Sequence, residues 1–388
     1  EQYQIILLQM YMMVAHRLKK GLKFFLFSYI FIGDFMKKIL FGLLILFFPI
    51  IVHAISAESY VVMDYDSGRV LLSKDPEKEK LIASTTKIMT AIIAIENGDL
   101  NSTRKVGEEV LKAYGSAIYL SLDEEITLKD LLYGLMLRSG NDAAIEIAYH
   151  VSGNMEKFVE LMNKKAYELG MSNTKFLNNH GLEESDGSGN TSTAYDMAIL
   201  MRYALKNDTF RSIIGTETYE AKTSGKTYVW QNKNKLLKMY EYNIGGKTGF
   251  TKKAKRTLVT ASKKEDKTCI VVTLNDGNDF EDHKNLCEKV FEEYERVAIL
   301  DKESLVIDAQ NPQKYYIKND YYALLTKEEI DQVKIDFKIN SEQKEEEVGV
   351  AEVYLNDELL TSEKIYQKIE EEKKENFFQK FLRWLFRW

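Results

Sequence analysis

Residues 81–91 read LIASTTKIMTA, with a serine and a lysine three positions apart at the start of an apolar, helix-forming run. On an α-helix, positions i and i+3 lie one turn apart on the same face, so the Ser84 hydroxyl and the Lys87 amine would meet there. The residues alone allow two readings: a helix cap beside a solvated charge, or a nucleophile beside its base. Helical patterning continues from Ser84 to about Asn207 through TLKDLLYGLML, NDAAIEIAYHVSG, NMEKFVELMNKKAYELG and STAYDMAILMRYALKN, several of which open on Thr, Asn or Ser and close near Gly or Asn. Ahead of this block, SYVVMDYDSGRVLLSKD alternates about Asp66, Ser67 and Gly68 and predicts a β-hairpin. Behind it come the strand-like ETYEAKT, YNIGGKTGF, RTLVTASKK and TCIVVTLND, then a last helix from about Asp282 to Arg296. A helical block between an early hairpin and late strands implies an α+β domain whose sheet joins the two ends of the sequence.

Two further short motifs decide between the readings of Ser84 and Lys87. LRSGNDAA places Ser139 and Asn141 in a turn between two predicted helices, and GGKTGFT places Lys247 and Thr248 on a predicted strand. Each is weak by itself, since Ser-Gly-Asn is an ordinary turn and Lys-Thr-Gly a common triplet. S-x-x-K, S-x-N and K-T-G in that order form the set carried by penicillin-interacting serine acyl-enzymes. With ASTTKIMTA, LMLRSGNDAA, NTKFLNNHGL, STAYDMAIL and GGKTGFTKKAKRTLVTAS also in order, the chain resembles the D-alanyl-D-alanine carboxypeptidases. These are the low-molecular-weight penicillin-binding proteins of serine peptidase family S11. The resemblance runs from about Ser59 to the C-terminus.

The resemblance implies a β-lactamase/transpeptidase-like domain, an antiparallel sheet with a helical subdomain, followed by a small all-β domain and a C-terminal amphipathic helix. It also implies roles. Ser84 would attack the carbonyl of the penultimate D-Ala of a peptidoglycan stem peptide, and water would then hydrolyse the acyl-enzyme; β-lactams would acylate the same serine. A serine hydroxyl needs a base, and Lys87 serves only if burial or nearby positive charge depresses its pKa. Lys247 would supply such charge and attract the substrate carboxylate, which Thr248 would hydrogen-bond. Ser139 would relay a proton to the leaving amine, and Asn141 would hold Lys87 or the substrate amide. Backbone N–H groups of Ser84 and of Phe250, which follows Gly249, would form the oxyanion hole. No cofactor and no metal is implied.

One position departs from the pattern: the family usually reads Ala-Gly-Arg where this chain has Ala254, Lys255 and Arg256. If that turn needs a positive φ, Lys255 costs about 1 kcal/mol relative to Gly, while Arg256 stays available to a carboxylate. His180 has no triad partner pattern and reads as a structural loop histidine; Asp196 reads as a carboxylate that pins a loop or helix. Two other functions remain open. A class A-like β-lactamase would add a glutamate for deacylation, but ELMN at Glu160 lies inside a predicted helix. A non-catalytic, membrane-tethered wall-binding protein would keep the cleft without turnover.

At 388 residues with 3 Pro, the chain exceeds one ordinary domain. A net charge of −6 without a long basic block argues against nucleic acid. Residues 36–57, MKKILFGLLILFFPIIVHAISA, have the layout of a signal peptide, with cleavage after Ala54 or Ala57; an uncleaved membrane helix is the alternative. Residues 1–35 are read as a mis-called upstream extension, because Gly33 and Asp34 would be encoded by a ribosome-binding-like GGAGA ahead of Met36. The division is then 58–298 for the catalytic domain, 299–365 for the β-rich domain and 366–388 for a connector and anchor. In residues 375–388, Lys380, Arg383 and Arg387 recur at helical spacing among Phe and Trp, which suits a helix lying in the membrane interface. The expected location is therefore extracytoplasmic, at the outer face of a bacterial membrane. Cys269 and Cys287 read as two packed thiols, with a single bridge as the other option.

Overall fold

The structure is a computed structural model that describes residues 20, 55–303, 305–307, 310, 315–340 and 347–367. Apart from Lys20, the segment read as an upstream extension, the signal segment up to Ala54 and residues 368–388 lie outside the described residues. Among the described residues, no helix is long and apolar enough to cross a membrane.

The hairpin predicted at the start of the domain forms as β1 (Ser59–Asp64) and β2 (Val70–Lys74). It joins three late strands, β3 (Asn243–Thr251), β4 (Lys255–Lys264) and β5 (Lys267–Leu274), in an antiparallel sheet of order β2-β1-β5-β4-β3. Ser59 pairs with Leu274 and Asp64 with Cys269, so the two ends of the domain meet at the sheet's centre. Alternation divides β1, β4 and β5 between two buried faces. Val61, Met63, Val259, Ala261, Ile270 and Val272 enter the main core, while Cys269, Thr260 and Thr273 meet helix α7 (Asp279–Glu293) on the other side. Strand β3 is left at the sheet edge, next to the helical block.

Helix α1 (Lys87–Asn97) runs through the middle of that block, and all its residues from Lys87 to Ala94 are buried. A helix apolar on every side belongs inside a core. Around it stand α2 (Leu128–Arg138), α3 (Asn141–Ser152), α4 (Met155–Glu168), α5 (Ala194–Ala204) and α6 (Asp208–Gly215). Thr127, Asn154, Thr193 and Asn207 each accept a backbone N–H in the first turn of the helix they precede, the cap chemistry expected from their side chains.

Helix α7 starts and stops three residues earlier than its sequence pattern suggested. Asp279, Glu281 and Asp282 supply negative charge to its first turn. Glu295 and Arg296 leave the helix because they pair with Leu325 and Leu324, in a strand that runs from Glu295 to Leu300. Beyond it, four strands in the order Tyr315–Ile317, Glu358–Gln367, Glu347–Leu355, Val333–Ile339 form a separate sheet. That sheet has its own core, which includes Leu300, Ile317, Ala351, Val353 and Ile365. Arg69 in the first hairpin donates to Leu324 O (3.0 Å) and pairs with Glu329, and Arg296 Nε lies 2.6 Å from Asp66 Oδ2.

The turn from β3 to β4 carries Lys255 at φ +60°, the left-handed conformation that glycine adopts without steric penalty. Lys255 is exposed, so replacing it with Gly removes strain and little else. Lys255→Gly is expected to raise the thermal midpoint by about 2–4 °C, corresponding to about 1 kcal/mol. An unchanged or lower midpoint in a calorimetric scan would contradict this.

Candidate active site

Ser84 sits on a short 3-10 turn, Ala83–Thr86, that leads into α1. Ala83 has φ +48°, and this sharp entry leaves Ser84 half-buried while Ala83, Thr85 and Thr86 are buried. Two glycines are needed for the turn to fit. A Cβ on Gly181, whose φ is +86°, would lie 1.9 Å from Ala83 O; a Cβ on Gly249 would lie 2.3 Å from Thr257 Oγ1 and 3.0 Å from Ser84 N. The edge strand β3 therefore passes directly against the serine turn, at a distance that only glycine permits.

Lys87 opens α1 from inside the core, fully buried. Its Nζ lies 3.2 Å from Ser84 Oγ, 2.7 Å from Asn141 Oδ1 and 2.5 Å from the backbone oxygen of His180. None of these partners is a carboxylate. Burial holds the Lys87 pKa well below its ordinary value, and the positive charges of Lys247 and Lys233 push it further down. A neutral amine has two N–H donors and one lone pair. Asn141 Oδ1 and His180 O accept the two donors, which leaves the lone pair for the Ser84 hydroxyl proton. The orientation of the Asn141 amide is fixed by its other end, where Nδ2 donates to Tyr114 O at 2.6 Å.

Ser139 ends α2 in a left-handed conformation (φ +63°), and Asn141 begins α3. This reversal brings the Asn141 side chain to Lys87 at the start of α1. Ser139 Oγ is buried and has no hydrogen-bond partner, so it is available to a group entering the cleft. Asp142 accepts from the backbone N–H groups of Ile118 and Leu120 and pins the preceding segment to the site.

On β3, Lys247 is buried, and burial followed by the charge of Lys233 lowers its pKa to about 7. Thr248 is half-buried, Gly249 buried, and Phe250 is 62% exposed, so the phenyl ring faces solvent rather than the core. Arg256 is engaged: its Nη2 lies 2.7 Å from Asp279 Oδ1, and its guanidinium stacks over Phe280 at 5.5 Å.

Several contributors had no signal in the sequence. Lys233, in the turn after Gln231, donates to Ser116 Oγ at 3.1 Å and bears electrostatically on both buried lysines. The carbonyl of His180, rather than its ring, is what meets Lys87. That ring is held neutral by burial, its pKa lowered to about 3, and Nδ1 accepts from Leu182 N–H. Tyr114 reaches across to donate to Glu183 O at 2.8 Å, and Glu183 in turn accepts from Thr251 Oγ1, which links the walls of the cleft. Asp196 lies in the first turn of α5 and accepts from Asn173 N–H and Thr174 Oγ1, the pinning role its position suggested. Glu160 stands on the exposed side of α4. Among the described residues, no cluster of His, Cys, Asp or Glu is placed to hold a metal ion.

A serine on a tight turn, a buried lysine 3.2 Å from its hydroxyl, and an edge strand carrying K-T-G are the arrangement of the serine acyl-enzyme class. Residues 49–278 match the D-alanyl-D-alanine carboxypeptidase family, Peptidase S11, and the chain belongs to it. It is a serine-type carboxypeptidase with the penicillin-binding-protein fold. Its relatives include the D-alanyl-D-alanine carboxypeptidase DacF of Bacillus subtilis, 33% identical over 342 residues, or 83% of this chain and 87% of that protein. DacB2 of Mycobacterium tuberculosis is 34% identical over 218 residues, covering 56% of this chain and 74% of the relative. Among solved structures, penicillin binding protein 5 of Haemophilus influenzae superposes with a TM-score of 0.69 at 25% identity, covering 82% of this chain and 98% of that one. A D-alanyl-D-alanine carboxypeptidase from Mycobacterium tuberculosis gives 0.59 at 31% identity, with 62% and 92% covered.

Proposed function

We propose that Ser84 is the nucleophile and Lys87 the base with which this enzyme removes the terminal D-Ala from peptidoglycan stem peptides, and that β-lactams acylate the same serine. The observation that carries this reading is the donor count at Lys87: two acceptors use its N–H groups, so a neutral amine can take the serine proton. Ser84 Oγ forms the ester to the penultimate D-Ala, and the oxyanion forms beside the N–H groups of Ser84 and Phe250. Ser139, with its unpartnered hydroxyl, passes the proton to the departing D-Ala amine. Lys247, Thr248 and Lys233 receive the terminal carboxylate. Gly249 gives the substrate room along β3. Arg256, held at Nη2 by Asp279, has further N–H donors on a side chain that is 43% exposed and offers them to a carboxylate. The assay is release of free D-alanine from a peptide ending in Lys-D-Ala-D-Ala; no release by the folded protein would refute the reading. A penicilloyl adduct that persists favours the carboxypeptidase, and rapid penicillin turnover favours a lactamase.

The proposed setting is the outer face of a bacterial membrane, reached by export on residues 36–57 and held by residues 375–388. The support is the sequence pattern, basic side chains alternating with rings in a segment too short to span. Deleting residues 375–388 is expected to abolish co-sedimentation with vesicles containing anionic phospholipid while leaving kcat/KM on a soluble peptide unchanged. Retained vesicle binding would remove the tail from the proposal.

A further inference from the structure

The chain has only two cysteines among its 388 residues. They are 18 positions apart in sequence, Cys269 on β5 and Cys287 on α7, yet their Sγ atoms lie 3.4 Å from each other. Both are buried, with 0% and 1% of their surface exposed. Two isolated buried thiols would pack as small hydrophobes at unrelated positions. Here both fall on the interface between one strand and one helix, facing each other, where van der Waals contact needs only a small closure to become a bond.

We propose that Cys269 and Cys287 form a disulfide that staples α7 to the central sheet. The reaction is thiol–disulfide exchange with a small or protein disulfide. One thiol, as thiolate, attacks the donor disulfide and expels a thiolate; the second then displaces the donor from the mixed disulfide. In sum, two cysteine thiols are oxidised to one disulfide and the donor is reduced to two thiols, the protons passing to the leaving sulfurs. In the folded state the Cys269 thiol is held protonated by its bond to Cys287 and by burial, and both sulfurs are closed to solvent. Oxidation therefore belongs to folding, or to openings of α7 from the sheet, and the bond once closed is shielded from reductants. The staple matters to the site because α7 holds Arg256 through Asp279, and β5 backs the strand that pairs with K-T-G.

The test uses the full chain refolded with oxidised glutathione, quenched in acid, denatured and treated with maleimide, then mapped by mass. The expected result is one peptide pair joined through Cys269 and Cys287, two hydrogens lighter than the reduced pair, with no maleimide on either. Both thiols carrying maleimide, or each carrying glutathione, would overturn the proposal. The oxidised protein is also expected to melt about 5–10 °C above its reduced form, a difference that Cys269→Ser and Cys287→Ser should each eliminate. The D-alanine assay is independent of this result, so failure of the staple and failure of the proposed reaction are told apart.

Discussion

Ser84→Ala is expected to abolish D-alanine release, with kcat reduced at least about 10^4-fold, because the residual machinery cannot form an acyl-enzyme. The loss should be chemical and not structural. Ser84 is half-buried on a 3-10 turn that Gly181 and Gly249 clasp through its backbone, and its hydroxyl meets Lys87 Nζ at a long 3.2 Å. Removing the oxygen leaves Lys87 with its two shorter bonds, so the thermal midpoint should stay within about 2 °C of wild type. Covalent labelling by a fluorescent penicillin, read by intact mass, should disappear together with turnover. Labelling that survives the substitution would mean that another side chain carries the acyl group and would overturn the assignment of Ser84.

The part of the site legible in the sequence is the part written in side chains at short spacing. The spacing of Ser84 and Lys87 permits a pairing, and the turn at Ser139 and Asn141 is ordinary by itself; only S-x-x-K, S-x-N and K-T-G in that order mark these residues as a site. Lys247 and Thr248 followed from the order of the motifs. The backbone of His180 was not legible, since a carbonyl has no residue type, yet it accepts one of the two donors that determine the state of Lys87. Lys233 was missed for a different reason: its approach to Lys87 and Lys247 depends on how a distant turn packs, and no local spacing encodes that. The α+β sheet was readable from the hairpin at Asp66–Gly68 and the late strands. The early end of α7 was not, because the pairing of Glu295 with Leu325 competes with helical pattern over a range that local sequence does not reach. The strain at Lys255 was legible from one residue standing where glycine is usual, and its φ of +60° is what that substitution implies.

Lys87→Met is expected to lower acylation by penicillin and by peptide roughly 10^2- to 10^4-fold, the range for loss of a positioned general base. Met keeps an unbranched apolar stem, one atom shorter, and removes the basic amine, so the substitution takes away proton transfer while most of the packing remains. The pH profile then tests why the wild-type lysine works. A base must be unprotonated, and burial with two neighbouring positive charges holds the Lys87 pKa well below its ordinary value. Activity should therefore extend to lower pH than a lysine base of ordinary pKa would allow, and the acid limb of kcat/KM should report Lys87. Lys247, with its own pKa lowered to about 7, gains charge as pH falls below that point. Its repulsion thus opposes protonation of Lys87 in the range where Lys87 would otherwise be lost. Removing that charge with Lys247→Met raises the Lys87 pKa, so the acid limb should move to higher pH, whatever happens to KM through the lost carboxylate contact. A limb that stays in place would show that burial alone sets the state of Lys87, and one that moves to lower pH would exclude Lys87 as the group that titrates.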